Sequence, residues 1–129
     1  MNIYFDNCDI SKINDKILMR MQFIYQYLDE GWKCKYYKKN DIIILKKNNN
    51  KIILSYTFNP KIFNYNYDDN SFSFILVFLF NVMNDEWTIK KEKDEFIFYK
   101  NHEGKKEIFS DKYIKSFLED NFNLKKLIK

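Results

Sequence analysis

Alanine is absent from this chain, glycine occurs twice, and proline, arginine and histidine occur once each. Two glycines cannot build a Walker-type phosphate loop or a dinucleotide fingerprint. The single histidine, His102, falls in an expected hairpin turn beside Glu103 and Gly104 and has no positioned partner for proton transfer. Neither a Ser-His-Asp nor a Cys-His arrangement is therefore expected. Cys8 and Cys34 are too few and too far apart for a disulfide framework or a zinc knuckle, and are expected as reduced, apolar thiols. No catalytic residue, metal, cofactor or small-molecule ligand is implied. The longest apolar run, Phe72 to Met83, is shorter than the roughly 20 residues of a membrane span. Met1 to Asp9 is polar and carries Asp6 and Asp9 where a secretory signal would be basic and then apolar. A reducing, cytoplasm-like compartment is the expectation.

The scarce residues are those of G+C-rich codons, whereas Lys, Asn, Ile, Phe and Tyr abound. An A+T-rich gene accounts for that bias before function does, so each Lys-rich stretch weighs less than its charge suggests. With 129 residues, 46% of them hydrophobic and 19% aromatic, the chain suffices for one domain with a core rich in large rings. The formal charge is +4, and Arg20 is the only guanidinium among 22 basic residues. Base-specific readout leans on the planar Arg fork, so its scarcity argues against such readout and leaves room only for Lys-driven attraction to phosphate.

Placing Trp32 over Trp87 aligns the chain with itself at an offset of 55. Leu28 to Trp32 then lies over Met83 to Trp87, and Lys35 over Lys90. One gap before Asp41 brings Asp41–Lys46 over Glu95–Lys100, and a compensating gap after Lys51 brings Ile53–Ser55 over Ile108–Ser110. The expected architecture is α+β, a tandem duplication of a helix plus a three-stranded antiparallel meander (αβββ-αβββ) with a C-terminal helix. The repeats span approximately 10–57 and 70–121, with a connector at 58–70 in a single domain.

In the first copy, Ile10, Ile13, Ile17, Met21, Ile24 and Leu28 recur at helical spacing, with Ser11 or Asp15 as the expected cap and Gly31 as the left-handed stop. Strands are expected at Trp32–Tyr37, Asp41–Lys46 and Lys51–Thr57, separated by Lys38–Asn40 and Asn48–Asn50. In the second copy, Ser71–Met83 is ambiguous by itself, since its Phe, Ile and Val favour strands, and is read as a helix from its amphipathic counterpart; strands Trp87–Lys91, Glu95–Lys100 and Lys105–Ser110 follow. Gly104 occupies about the place of Asn50, and both residue types tolerate positive φ. Ser71–Met83 is apolar on all sides and must be covered on all sides, either between the two copies or at a subunit interface. Ser110 is the expected cap of a last helix whose Tyr113, Ile114, Phe117 and Leu118 share a face.

Two features could carry function. Asp29-Glu30 and Asp85-Glu86 are carboxylate pairs at matching positions, but adjacent side chains diverge, and a polar linker is favoured over a cation site. The stretch from Lys33 to Lys51 carries Lys33, Lys35, Lys38, Lys39, Lys46, Lys47 and Lys51 against Asp41 alone, a net +6, while Thr88 to Lys106 nets +2. Alternation turns Trp32, Cys34 and Tyr36 inward and Lys33, Lys35 and Tyr37 outward. Lysines beside exposed rings hold single strands without sequence preference, so those seven lysines and Tyr37 are the candidate nucleic-acid contacts.

Asp85-Glu86-Trp87-Thr88-Ile89, Phe96 to Lys100, His102 to Ser110 and Tyr113 together resemble short uncharacterised proteins of giant DNA viruses of the mimivirus kind. The resemblance is closest over the C-terminal third. It implies a viral origin, with a place in the host cytoplasm (viral factory) or in the virion, and carries no catalytic residue with it. The expected function is a non-enzymatic viral binding or structural module that engages a protein partner or itself as a homo-oligomer. Sequence-independent nucleic-acid binding through Lys33 to Lys51 is the alternative.

Overall fold

A computed structural model describes residues 14–60, 70–110, 112–114 and 116. The first helix, α1 (Asp15–Asp29), turns Leu18, Met21, Ile24 and Leu28 inward at three- and four-residue steps. Its cap is Asn14, whose extended backbone lets Oδ1 accept the Ile17 N–H at 3.0 Å. Asp15, one of the two expected caps, instead enters the first turn, where its charge complements the helix dipole. Ser11, Ile10 and Ile13 lie outside the described residues. Gly31, at φ +94°, ends the helix in a Schellman turn: Trp32 N–H donates to Tyr27 O and Gly31 N–H to Leu28 O, both at 3.0 Å.

Strands β1 (Lys33–Tyr37), β2 (Ile42–Lys47) and β3 (Asn50–Ser55) follow as an antiparallel meander. The second helix, α2 (Asn70–Asn84), is helical throughout, as the reading of Ser71–Met83 expected. Every residue from Ser73 to Leu79 is 3% exposed or less, so the chain itself covers this all-round apolar helix. It ends in the same Schellman geometry, with Trp87 N–H donating to Val82 O and Glu86 N–H to Met83 O. Here Glu86, at φ 64°, takes the left-handed position that Gly31 fills after α1. Strands β4 (Thr88–Glu92), β5 (Glu95–Lys100) and β6 (Lys105–Ser110) complete the sheet. After β6, residues 112–114 are helical, and Ser110 Oγ accepts the Tyr113 N–H at 3.0 Å. Phe117, Leu118 and the connector residues 61–69 are outside the described set.

All six strands form one antiparallel sheet in the order β3-β2-β1-β4-β5-β6. The first strands of the two meanders meet at its centre, Cys34 opposite Ile89 and Lys33 opposite Lys90. Both helices lie on one face and touch both central strands. Cys34, Tyr36, Ile43, Leu45, Ile89, Phe96 and Phe98 point into that helical layer and are buried. Phe78 of α2 meets Phe98 edge-on at 5.6 Å, and Tyr25 of α1 meets Phe72 of α2 at 4.9 Å. Offset and edge-to-face geometries of this kind add to the area that the rings bury.

The registers correct the self-alignment in one place. The β1–β2 turn spans Lys38 to Asp41, whereas β4 and β5 are joined by Lys93 and Asp94 alone. Buried Ile43 and Leu45 therefore correspond to buried Phe96 and Phe98, two gaps from the offset of 55 where one was expected. A one-residue slip sends every side chain of a strand to the other face, and the single gap set Ile43 against outward Ile97. The difference is recovered at the next turns, Asn48-Asn49 between β2 and β3 against Asn101 to Gly104 between β5 and β6. Asn50, matched in sequence with Gly104, pairs with Lys47 in the ladder, and Asn48 takes the positive φ of 54°.

Candidate nucleic-acid interface

With both helices on one face of the sheet, its other face, among the described residues, is left to the outward half of each strand. Cross-strand partners there read Lys51, Lys46, Lys33 and Lys90 in one unbroken row over β3, β2, β1 and β4. The row continues as Ile97 and Ile108 on β5 and β6. Beside it run Ile53, Ile44 and Lys35 on one half and Thr88, Tyr99 and Lys106 on the other. Adjacent strands lie about 4.8 Å apart, so the four ammonium stems cross roughly 14 Å of sheet. Lys33, Lys46 and Lys51 are exposed, and none has a carboxylate partner among the described residues. Like charges directly opposite one another destabilise a sheet, so these three adjacent Lys-Lys pairs cost stability, only Lys90 among them being offset by a carboxylate, Glu92.

Two depressions mark this face. One, of about 240 Å³, is lined by Lys33, Lys35, Tyr37, Ile44, Lys46, Thr88, Tyr99 and Asn101, together with Cys34. The other, of about 620 Å³, is lined by Lys33, Lys90, Glu92, Ile97, Tyr99, Asn101, Gly104, Lys105 and Lys106. Lys33, Tyr99 and Asn101 belong to both, so the two join into one trough across the strands. Lys35 holds its ammonium 5.0 Å from the centroid of the Tyr37 ring. Acidic charge gathers at one corner, where Glu92 bonds Lys90 at 2.7 Å and Glu95 stands opposite Glu92. That bond raises the Lys90 ammonium and lowers the Glu92 carboxyl from their ordinary values.

The eight sequence candidates separate accordingly. Lys33, Lys35, Tyr37, Lys46 and Lys51 share the open face, as alternation required. Lys47 does not: it lies on the helical side, where its ammonium donates to Glu30 O at 2.6 Å. Lys38 and Lys39 sit in the β1–β2 turn at the end of the sheet. Lys90, Tyr99, Asn101 and Lys106 were missed, because the basic stretch was bounded by chain position while the face is completed by β4 and β5. Aligning Lys35 over Lys90 was the one signal in the sequence that pointed from this stretch to Lys90.

The remaining candidates serve the fold. Asp29 pairs with Lys91 at 2.6 Å, and Asp85 accepts from Trp87 Nε1 at 3.0 Å and pairs with Lys100 at 3.4 Å. Glu86 Oε1 accepts the Lys38 N–H at 3.2 Å, so the two carboxylate pairs act as separate linkers. No group of three metal-capable side chains occurs among the described residues. Cys34 is fully buried, and burial pushes its thiol up to about 12, away from nucleophilic use. The backbone of His102 lies in the 3-10 turn Asn101–Glu103, and Cys8 lies outside the described residues. Arg20 donates Nε–H to Phe58 O at 2.8 Å, so the one guanidinium is committed away from the open face.

No family model, curated protein or solved structure matches the chain. No helix among the described residues is long and apolar enough to cross a membrane.

Proposed function

We propose that the protein is a non-enzymatic binding module whose open sheet face holds nucleic acid without regard to sequence. The observation that carries this is the row Lys51-Lys46-Lys33-Lys90, four cations set side by side across four strands. A phosphate backbone relieves their mutual repulsion and releases its own counterions in doing so. Lysine delivers charge without base selection, and the only arginine is bonded elsewhere, which favours backbone contact over readout. The all-round apolar helix that first pointed to a protein partner is satisfied inside the chain, which removes that motive. Engagement of a protein partner or a second copy keeps a narrower support in the exposed Ile53 and Ile108, at 58% and 51%, on the two outermost strands.

Descent by tandem duplication belongs to the same proposal. It is supported by the recurrent helix-and-meander order, the Trp-anchored Schellman turns and the central pair Cys34–Ile89, itself 55 positions apart. The giant-virus origin implied by the C-terminal third, and with it a role in the host cytoplasm or the virion, is likewise proposed. The test is fluorescence anisotropy with a labelled oligonucleotide over a salt series. Four phosphate contacts to a single strand give a log-log slope of about −3. Lys33, Lys35 and Lys46 replaced together by Glu should abolish binding; affinity indifferent to both salt and charge reversal removes the proposal.

A further inference from the structure

We infer that the nucleic acid is single-stranded, and that Tyr99 is the platform on which one of its bases stacks. This rests on the binding function proposed above and names its substrate. Among the described residues both long helices are packed against the sheet, so neither of them is free to enter a duplex groove. What the face offers instead is a trough with Tyr99 at the junction of its two depressions. The smaller depression, of about 240 Å³, has room for a planar ring.

Two tyrosines line that space, and the structure chooses between them. Lys35 already lies over the Tyr37 ring at 5.0 Å, so a base there displaces a cation. No ring packs on the Tyr99 ring and no ammonium lies over it among the described residues, although the Lys90 ammonium is near enough to feel its hydroxyl. It stands between Thr88 and Lys106 on the neighbouring strands, and Asn101 beside it can both donate to and accept from a base edge. Lys33, common to both depressions, is placed for the phosphate next to the stacked base. Stacking accepts any base, which agrees with a site that lacks arginine readout.

The experiment compares three probes on the full chain: oligo(dT), a duplex of equal length, and heparin, a polyanion without bases. Oligo(dT) should bind more tightly than duplex. Tyr99→Ala should weaken oligo(dT) at least about fivefold and leave heparin unchanged, while Tyr99→Phe retains both. Ultraviolet crosslinking of oligo(dT) to the unmodified protein, mapped by mass spectrometry, should mark the peptide holding Tyr99 and does not depend on a variant folding. Equal losses for oligo(dT) and heparin, duplex binding as tight as single strand, or crosslinks confined to other peptides would overturn the inference and leave the basic-face proposal intact. If none of the three probes binds, that underlying proposal fails first.

Discussion

Lys33→Glu should make the free protein more stable while weakening its binding. Lys33 lies directly between Lys46 on β2 and Lys90 on β4, so one substitution turns two repulsive cross-strand pairs into two attractive ones. Directly opposed charges count for 0.2–1 kcal/mol per pair, so after allowance for solvent exposure the gain is about 1–2 kcal/mol at low salt. For a chain of this size that raises Tm by about 4–8 °C. Lys51→Glu, which faces only Lys46, should gain roughly half as much. Thermal denaturation followed by circular dichroism at low ionic strength measures the effect, and repetition in 1 M salt, where the Debye length is about 3 Å, should erase most of it. The two readouts must move in opposite directions, stability up and oligonucleotide affinity down. A Lys33→Glu protein no more stable than the parent at low salt would refute the claim that the row is held against its own repulsion.

Other outcomes follow from particular contacts. Lys46→Gln should lower the magnitude of the salt slope by about 0.7, whereas Lys47→Gln, on the opposite face with its ammonium on Glu30 O, should leave it unchanged in the same titration. Glu86→Gly should stabilise the fold by roughly 0.5–1 kcal/mol in urea denaturation, because it removes a left-handed non-glycine residue at the loss of one exposed hydrogen bond. With Cys8 replaced by Ser, a thiol reagent at pH 8 should find no reactive group until the protein unfolds, since Cys34 is sealed in the core. The unfolded chain releases the Cys34 proton above its ordinary value of 9.0 and the folded chain only near 12. That contribution to stability is therefore complete below pH 9 and fades as pH rises towards 12, which alkaline denaturation curves will show.

Local chemistry made much of the fold legible. Glu95–Lys100 and Lys105–Ser110 were readable to the residue because alternation runs cleanly between a charged start and a turn containing Gly104. The helix Asn70–Asn84 was ambiguous by composition and became readable through its amphipathic counterpart. Phase was harder: Asp41 over Glu95 matches charge with charge, yet the ladder follows the buried pair Ile43 and Phe96, and turn length shifts independently of strand pattern. The open face was half visible. Alternation within one strand placed Lys33, Lys35 and Tyr37, but the approach of Lys90 and Tyr99 depends on β1 pairing with β4, a contact across 55 positions that no local signal encodes.

That central pairing also governs how the protein is made. When the first meander leaves the ribosome, the edge of β1 that will take β4 has nothing to bond. At 5–20 residues per second the 37 residues from the end of β3 to the end of β4 take about 2–7 seconds. Throughout that interval the nascent chain offers an unsatisfied strand with Cys34 on it, and another nascent copy presents the same edge. Until β4 arrives, two unfinished chains could join through the strand edge each reserves for itself, which is the exposure that any exposed strand edge carries.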